Sequence, residues 1–581
     1  MPFVRCLLVS MVVACTAAAE GPGRTIIDYD AFESMTIGGT QDFDQRFDAA
    51  AGSMIVDVDT EGEKNWSVVH HSPNSTGPVA EGDIVVYSIT MRVTGKRTDV
   101  GDIGVYAESS VNDKSGSAGG RVQPTTTKQT IRRSVVSPGN FDAGEFRLAL
   151  HLATKPQEVE LFHCRVEVFP AGTPAEQLGM EGITWRGRDP DAEWRDDATR
   201  RIDRLRRSNM WFRIVNAAGD PVTDARVTAK LTKHAWRFGT FVSGKLLEDS
   251  DDGRRYEREI RRRYNFVTLP AYLADWGWLD DNNRRQYFEL ADWAQSNNID
   301  ARGHLLVYPG WSATPPSWFD LPKDELRSRM EAHIPVAVDV FADRGVHEWD
   351  VTNELRMNKD FMNEIGGVEV AAQWFKTARE LDPDAVHYLN ETFVISNGGS
   401  TESEQATLID QYRLLVDHGA QIDGIGLQGH FGSEMTPPEK ALRILDKMGE
   451  LTGKVLITEF DIDNEDKESQ ADYLRDFYTL CFSHPAVEGI VAWGFWEPEM
   501  WKPRGHLLAT DWSETPASRM YMSLVHDRWK TDESVAAGTD GTAGFRGFRG
   551  EYDVTIRSGD YVRRMTTTLG DQTWLQTIVV P

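Results

Sequence analysis

Between Gly23 and Ala171, apolar and polar positions alternate in short runs such as Ser53–Val58 (S-M-I-V-D-V), Asp83–Ser88 (D-I-V-V-Y-S) and Glu158–Phe162 (E-V-E-L-F). Short period-two runs separated by turns predict an antiparallel β sandwich over 23–171. The Gly/Ser/Asn-rich stretch Ser109 to Gly120 reads as an exposed loop within it. Over 172–208 the composition shifts to charge, and A-T-R-R-I-D-R-L-R-R predicts a polar helix in a connecting segment. From Asn209 to about Asp532 the period changes again. Apolar strand-like runs alternate with amphipathic stretches such as Glu325–Phe341 and Ser403–Asp417, the signature of βαβ units around a parallel sheet. Eight strand candidates run through Phe238, Asn265–Leu269, Ala301–Leu306, Glu348–Thr352, Ala385–Leu389, Ile422–Leu427, Val455–Thr458 and Ile490–Trp493. Eight such units over 209–532 predict a (β/α)8 TIM barrel. The tail, 536–581, returns to β character with Gly-rich turns (G-F-R-G-F-R-G-E-Y) and is expected to form a small β extension.

A chain of 581 residues is too long for one ordinary domain, which agrees with this multidomain division. A formal charge of −27 argues against nucleic acid and anionic membranes as partners, and says little about a neutral polysaccharide. No segment after the N-terminus has the ~20 continuous apolar residues of a membrane helix. Residues 1–19 read as a signal peptide, with Arg5, an apolar stretch Cys6–Val13 and small residues at Thr16–Ala19. The protein is therefore expected to be secreted or extracytoplasmic. A second reading takes Val12-Val13-Ala14-Cys15 as a lipoprotein site and places an acyl anchor on Cys15. Cys164 and Cys481 fall in different domains, so no disulfide is expected. No Cys/His cluster has metal-ligand spacing, and neither metal nor cofactor is expected.

The chemistry sits in two strings, W-D-V-T-N-E (Trp349–Glu354) and L-I-T-E-F-D-I (Leu456–Ile462). Each closes an apolar run in a carboxylate, the position from which a barrel strand aims a group into the mouth. Cleaving a glycosidic bond needs two carboxylates: one protonates the leaving oxygen and the other attacks the anomeric carbon. Glu354 is the candidate acid/base and Glu459 the candidate nucleophile. Two further strand-end acids, Glu391 and Asp461, are expected to position this pair, because a third free acid would disturb its proton balance.

Over Trp211–Trp529 the chain resembles glycoside hydrolase family 10, the (β/α)8 β-1,4-xylanases. The family's strings occur in order: W-R-F-G (Trp236–Gly239), R-G-H (Arg302–His304), P-S-W-F (Pro316–Phe319), W-D-V-T-N-E, Y-L-N-E (Tyr388–Glu391), G-I-G-L-Q-G-H-F (Gly424–Phe431), L-I-T-E-F-D-I and A-W-G-F-W with a following Trp501. The resemblance implies that Glu354 is the acid/base, Glu459 the nucleophile and Asn353 a ligand of the sugar 2-hydroxyl. It implies that His430 bonds the nucleophile and that Gln428 lies close to the pair. His304 and Trp493 would contact the sugar at the cleavage site, with Trp501 an aromatic wall of the cleft. It further implies retention of configuration through a covalent intermediate, on xylan or a related β-1,4-glycan, by an enzyme expected to act as a monomer.

The departures concern the glycone side. Typical members carry E-N-x-x-K after the second strand and grip the sugar two units before the scissile bond with it. Here Thr268–Trp276 reads T-L-P-A-Y-L-A-D-W, and Tyr308-Pro309 stands where a Trp-His pair is usual. Intact catalytic residues beside rewritten recognition fit a decorated or different β-1,4-glycan as well as plain xylan. A barrel that has lost activity and only binds carbohydrate is the remaining alternative. The N-terminal sandwich is similar in layout to carbohydrate-binding modules. Trp66, Tyr87 and Tyr106 are its aromatics with the chemistry to stack on sugars, although burial is the default for each. The tail resembles the β extension of plant-type family 10 enzymes.

Overall fold

The computed structural model describes residues 23–30, 36–60, 62, 64–97, 101–111, 118–122, 124, 126, 128–173, 177–178, 185–432, 434–464 and 466–581. The expected signal peptide and Cys15 lie outside them. The chain divides into two compact units at Gly182/Ile183.

The first unit is a sandwich of two antiparallel sheets. Its strands are β1 (Arg24–Asp30), β2 (Thr36–Gly39), β3 (Asp44–Asp48), β4 (Ser53–Val58), β5 (Val68–His71), β6 (Ile84–Val93), β7 (Ile103–Ser109), β8 (Ala118–Val122), β9 (Gln129–Val136), β10 (Phe146–His151) and β11 (Gln157–Phe169). One sheet runs β3-β4-β11-β6-β9 with β1 also on β11, and the other β2-β5-β10-β7-β8. Alternate residues of both sheets, among them Val56, Tyr87, Ile89, Leu148 and Leu161, meet in one core. Tyr87 is thus a core residue, whereas Trp66 is 54% exposed.

In the second unit the barrel strands are parallel and close on themselves: β14 (Arg237–Phe241), β15 (Phe266–Pro270), β16 (Asp300–His304), β17 (Glu348–Asn353), β18 (Val386–Glu391), β19 (Gly424–Leu427), β21 (Val455–Ile462) and β22 (Val487–Ala492), which returns to β14. The two-residue β20 (His430–Phe431) pairs with Asp461 and Ile462 of β21. Every residue of β17 and β21 is buried, because side chains pack both the barrel interior and the helical shell. That is why even their polar residues, among them Glu348, Asp350 and Thr352 of β17 and Thr458, Glu459 and Asp461 of β21, are buried.

The flanking segments are more closely woven into this unit than their composition suggests. Two strands precede the barrel, β12 (Arg207–Val215) and β13 (Arg226–His234). The tail supplies β23 (Asp532–Ala536), β24 (Thr542–Phe548), β25 (Gly550–Ser558), β26 (Tyr561–Leu569) and β27 (Trp574–Val579). β12 lies between β24 and β27, and β13 between β23 and β25. Met210, Phe212, Val227 and Leu231 need a covering partner, and Phe548, Tyr552, Ile556 and Ile578 provide it. The boundaries drawn at 209 and 536 therefore cut through shared sheets. Likewise the charged helix, Glu193–Arg206, is tied to the barrel. Arg195 clamps Asp476 at 2.5 and 2.8 Å, and Arg206 donates to the carbonyls of Phe482, His484 and Val487.

Candidate active site

β17 ends at Asn353, and Glu354 follows at φ +60°. That left-handed turn stops the strand. Glu354 Oε1 accepts from Gln428 Nε2 at 2.8 Å, and Oε2 from the Tyr308 hydroxyl at 3.0 Å and Asn358 Nδ2 at 2.9 Å. Glu459, in β21, accepts at Oε1 from Asn390 Nδ2 at 2.8 Å and meets His430 Nε2 at Oε2, 3.0 Å away. Asn353 Oδ1 accepts from both amides, Gln428 at 3.2 Å and Asn390 at 2.9 Å. A chain of carboxamides thus joins the two carboxylates: Glu354, Gln428, Asn353, Asn390, Glu459. Thr458 anchors it by donating to Asn390 Oδ1 at 2.7 Å. With its oxygen committed twice, Asn353 keeps its NH2 for a ligand.

His430 stands between two acids, with Nε2 on Glu459 and Nδ1 3.0 Å from Asp461 Oδ2. Burial disfavours its charge, but the two carboxylates outweigh burial and hold the imidazole up at about 9. At neutral pH it is an imidazolium. Asp461 also accepts from Trp501 Nε1 at 2.8 Å, which sets that indole 4.8 Å from the His430 ring while leaving it 58% exposed. Across the mouth, His304 Nδ1 lies 2.7 Å from Asp350 and 3.9 Å from Glu459 Oε1. Burial would raise Asp350, but paired Arg302 and His304 hold it below the usual carboxylate range. Trp493 packs edge-on to His304 at 5.0 Å and against Phe241 at 4.7 Å. All eight residues expected from the sequence share this one mouth.

Residues 227–521, just over half of the chain, match the profile of Glycosyl hydrolase family 10. The chain belongs to this family. Among curated relatives, the anti-sigma-I factor RsgI6 of Acetivibrio thermocellus is 31% identical over 67% of this chain and 50% of its own length. Endo-1,4-beta-xylanase 1 of Arabidopsis thaliana is 26% identical over 61% of this chain and 37% of its own. The chain thus spans half or less of the length of these two relatives. A solved structure, xylanase 10B of Thermotoga petrophila with xylobiose, covers 51% of this chain and 95% of its own at 23% identity and a TM-score of 0.44.

The geometry adds functional residues that this family 10 sequence did not disclose by itself. Asn390 lies within Y-L-N-E, and an amide closing an apolar strand was its signal; its bond to Glu459 needed the fold. Tyr308 touches Glu354 where the usual Trp-His pair is missing, and burial, with Glu354 adding, raises its phenol above the ordinary range. Asn358, one turn after Glu354, carried no signal at all. Glu391 is fully buried with Oε1 on the Arg356 amide at 2.9 Å. Burial pushes it up to about 8, Arg356 opposing and Glu354 adding to the rise. It therefore stands next to Glu354 as a neutral acid near pH 7. Where the polar glycone clamp would stand, Tyr272 meets His304 edge-on at 5.6 Å. Among the described residues no group of three or more His, Cys, Asp or Glu is placed to hold a metal, and no helix is long and apolar enough to cross a membrane.

Proposed function

We propose that the protein is an exported, monomeric, retaining endo-β-1,4-xylanase. The observation that carries this reading is the carboxamide chain joining Glu354 to Glu459, with the His430 imidazolium on the second carboxylate. In the first step Glu354 gives its proton to the glycosidic oxygen. Glu459 attacks the anomeric carbon, the C–O bond breaks, and a glycosyl-enzyme ester forms. Glu354, now a carboxylate, takes a proton from water; the resulting hydroxide attacks the same carbon and Glu459 leaves. His430 keeps Glu459 ionised and oriented through a charge-assisted hydrogen bond. Asn353 presents its NH2 to the sugar hydroxyl next to the anomeric centre, where such a bond strengthens as charge develops. His304, its tautomer set by Asp350, and Trp493 hold the ring of the sugar under attack.

The relatives named as xylanases support the substrate, and the signal-peptide pattern of residues 1–19 supports export. Reducing-sugar release from a panel of xylans, cellulose, mixed-linkage glucan and mannan, with Glu459→Ala as control, tests the reading. Xylan cleavage that retains the β-anomer, seen by proton NMR of fresh product, is the expected result. Activity on another β-1,4-glycan alone would change the polymer and keep the mechanism. Binding without turnover would move the chain to the carbohydrate-binding alternative.

A further inference from the structure

We infer that the glycone half of the cleft is an aromatic wall that takes a xylan backbone bearing neutral side groups. This deepens the xylanase reading and rests on it. β15 ends at Pro270, and Tyr272 is the one polar side chain in the following Ala271–Ala274. Four rings are linked in sequence. Trp493 lies 5.0 Å from His304, His304 5.6 Å from Tyr272, and Tyr272 5.5 Å from Trp276. His304 approaches the nucleophile to 3.9 Å, so the row begins beside the anomeric carbon. The leaving group departs with the proton of Glu354; the wall accordingly flanks the other half of the chain.

Trp276 is 63% exposed, yet its loop is pinned. Asp275 accepts from Ser317 N at 3.0 Å and Ser317 Oγ at 2.5 Å. The Trp276 carbonyl accepts from Asn283 at 2.6 Å, and the Tyr272 carbonyl from Trp278 N at 2.7 Å. Gly277 packs so closely that a Cβ there would lie 2.4 Å from the Tyr272 carbonyl oxygen. None of these contacts uses the indole. A rigid loop that presents an exposed ring offers a stacking face for the apolar side of a pyranose.

A ring face binds sugar C–H groups and does not read hydroxyls. A clamp of acid, amide and amine does read them, and rejects a sugar whose hydroxyl is replaced, because its own polar groups are then left unpaired. Substitution is thus compatible with this wall. Acidic branches are disfavoured: among the described residues Arg284 reaches this loop, and it is committed to the Trp278 carbonyl at 3.0 Å and to Asp281. The net charge of −27 repels them further.

The test is kcat/KM on three oligosaccharides of one β-1,4-xylose backbone: plain, with a neutral pentosyl branch on the second glycone sugar, and with a glucuronosyl branch there. Wild type should cleave the neutral-branched substrate within about threefold of the plain one and the charged one about tenfold or more slower. Trp276→Ala should lower kcat/KM on all three by about tenfold, chiefly through KM, and Trp276→Phe should restore most of it. Unchanged thermal melting will show the variants folded. A hundredfold-scale loss with the neutral branch, or no effect of Trp276→Ala, while plain substrate is cleaved normally, overturns the wall alone. Failure of wild type on all three removes the xylanase reading and the wall with it.

Discussion

On the face of the sandwich sheet turned away from its core, Asp57, Glu158 and Glu160 are all under 5% exposed, and each meets a cation. Asp57 is clamped by Lys96 and Arg97. Glu158 is paired with Arg46 at 3.0 Å and Lys96 at 3.1 Å, and Glu160 with Arg92 at 2.5 Å. At the barrel mouth, Glu354 and Glu459 are instead held by a phenol, three amides and one histidine, and that histidine is shared with a third acid, Asp461. The difference teaches how a buried carboxylate is kept inert or kept useful. A fixed guanidinium neutralises the charge and occupies the lone pairs, which leaves structure and no chemistry. At the mouth a phenol and two amides orient Glu354. Glu459 is oriented by one amide and by an imidazolium that it shares with Asp461. Neither carboxyl is saturated by a guanidinium of its own, so each can still give up a proton or attack carbon.

The largest effects should come from deleting the mouth carboxylates. Glu459→Ala should lower kcat on xylan by on the order of 10⁴-fold or more, with the fold intact. Glu354→Ala should cost ~10²–10⁴-fold, and less on substrates whose leaving group needs no proton. Both are checked by steady-state kinetics beside circular dichroism.

Next comes the cation on Glu459. His430→Ala removes a charge-assisted bond worth ~1.5–3 kcal/mol, so kcat/KM should fall ~10–100-fold. His430 is raised to about 9 in the folded protein. A raised histidine contributes stability that is complete below its unfolded value of ~6.5 and lost as pH rises through the folded one. Activity and barrel stability should therefore both decline as pH approaches about 9, and the variant should lose that limb of the pH–rate profile.

The sandwich should behave in the opposite sense. Arg97, the main partner, and Lys96 hold Asp57 below its ordinary range; Arg46, Thr94 and Lys96 do so for Glu158 against its burial. Depressed carboxylates contribute stability above their unfolded values of ~3.9 and ~4.3 that is lost as pH falls through the folded ones. Acid should weaken this unit before alkali does. Glu160→Ala should destabilise it by ~1–3 kcal/mol and leave kcat/KM on a soluble oligosaccharide unchanged, as calorimetry and kinetics would show together. An equal loss of activity would break the comparison.

An effect on stability alone is expected at Glu391, which burial raises to about 8. Keeping it neutral costs stability that accumulates as pH rises from ~4.3 to about 8. Glu391→Gln should keep its shape, remove that cost and flatten the pH dependence of melting over this window.

Much of this was legible from periodicity. The eight strand positions read from the sequence coincide with β14–β19, β21 and β22, because short strand-like runs alternate with amphipathic helices around the barrel. The closing carboxylates were legible as well: a charge ending an apolar run has only the mouth to occupy. β12 and β13 were harder. Their alternating pattern states that one face is covered, but nothing local says that strands more than three hundred positions later cover it. The helix Glu193–Arg206 misled by composition, since Arg195 and Arg206 are fastened to Asp476 and to backbone carbonyls while Arg200 and Arg204 face solvent.

By itself, then, the sequence determined the barrel and the placement of Glu354, Glu459, His430 and their neighbours at strand ends. The barrel and the two glutamates follow from local hydrophobic period and residue chemistry, and His430 and its neighbours from the resemblance to family 10. Only the tertiary structure decided that Asn390 and Gln428 meet on Asn353, that His430 is charged between two acids, and that Tyr272 and Trp276 join His304 in a row. Each of these depends on distances between residues from different strands or loops, set by barrel closure and packing and by no single stretch of chain.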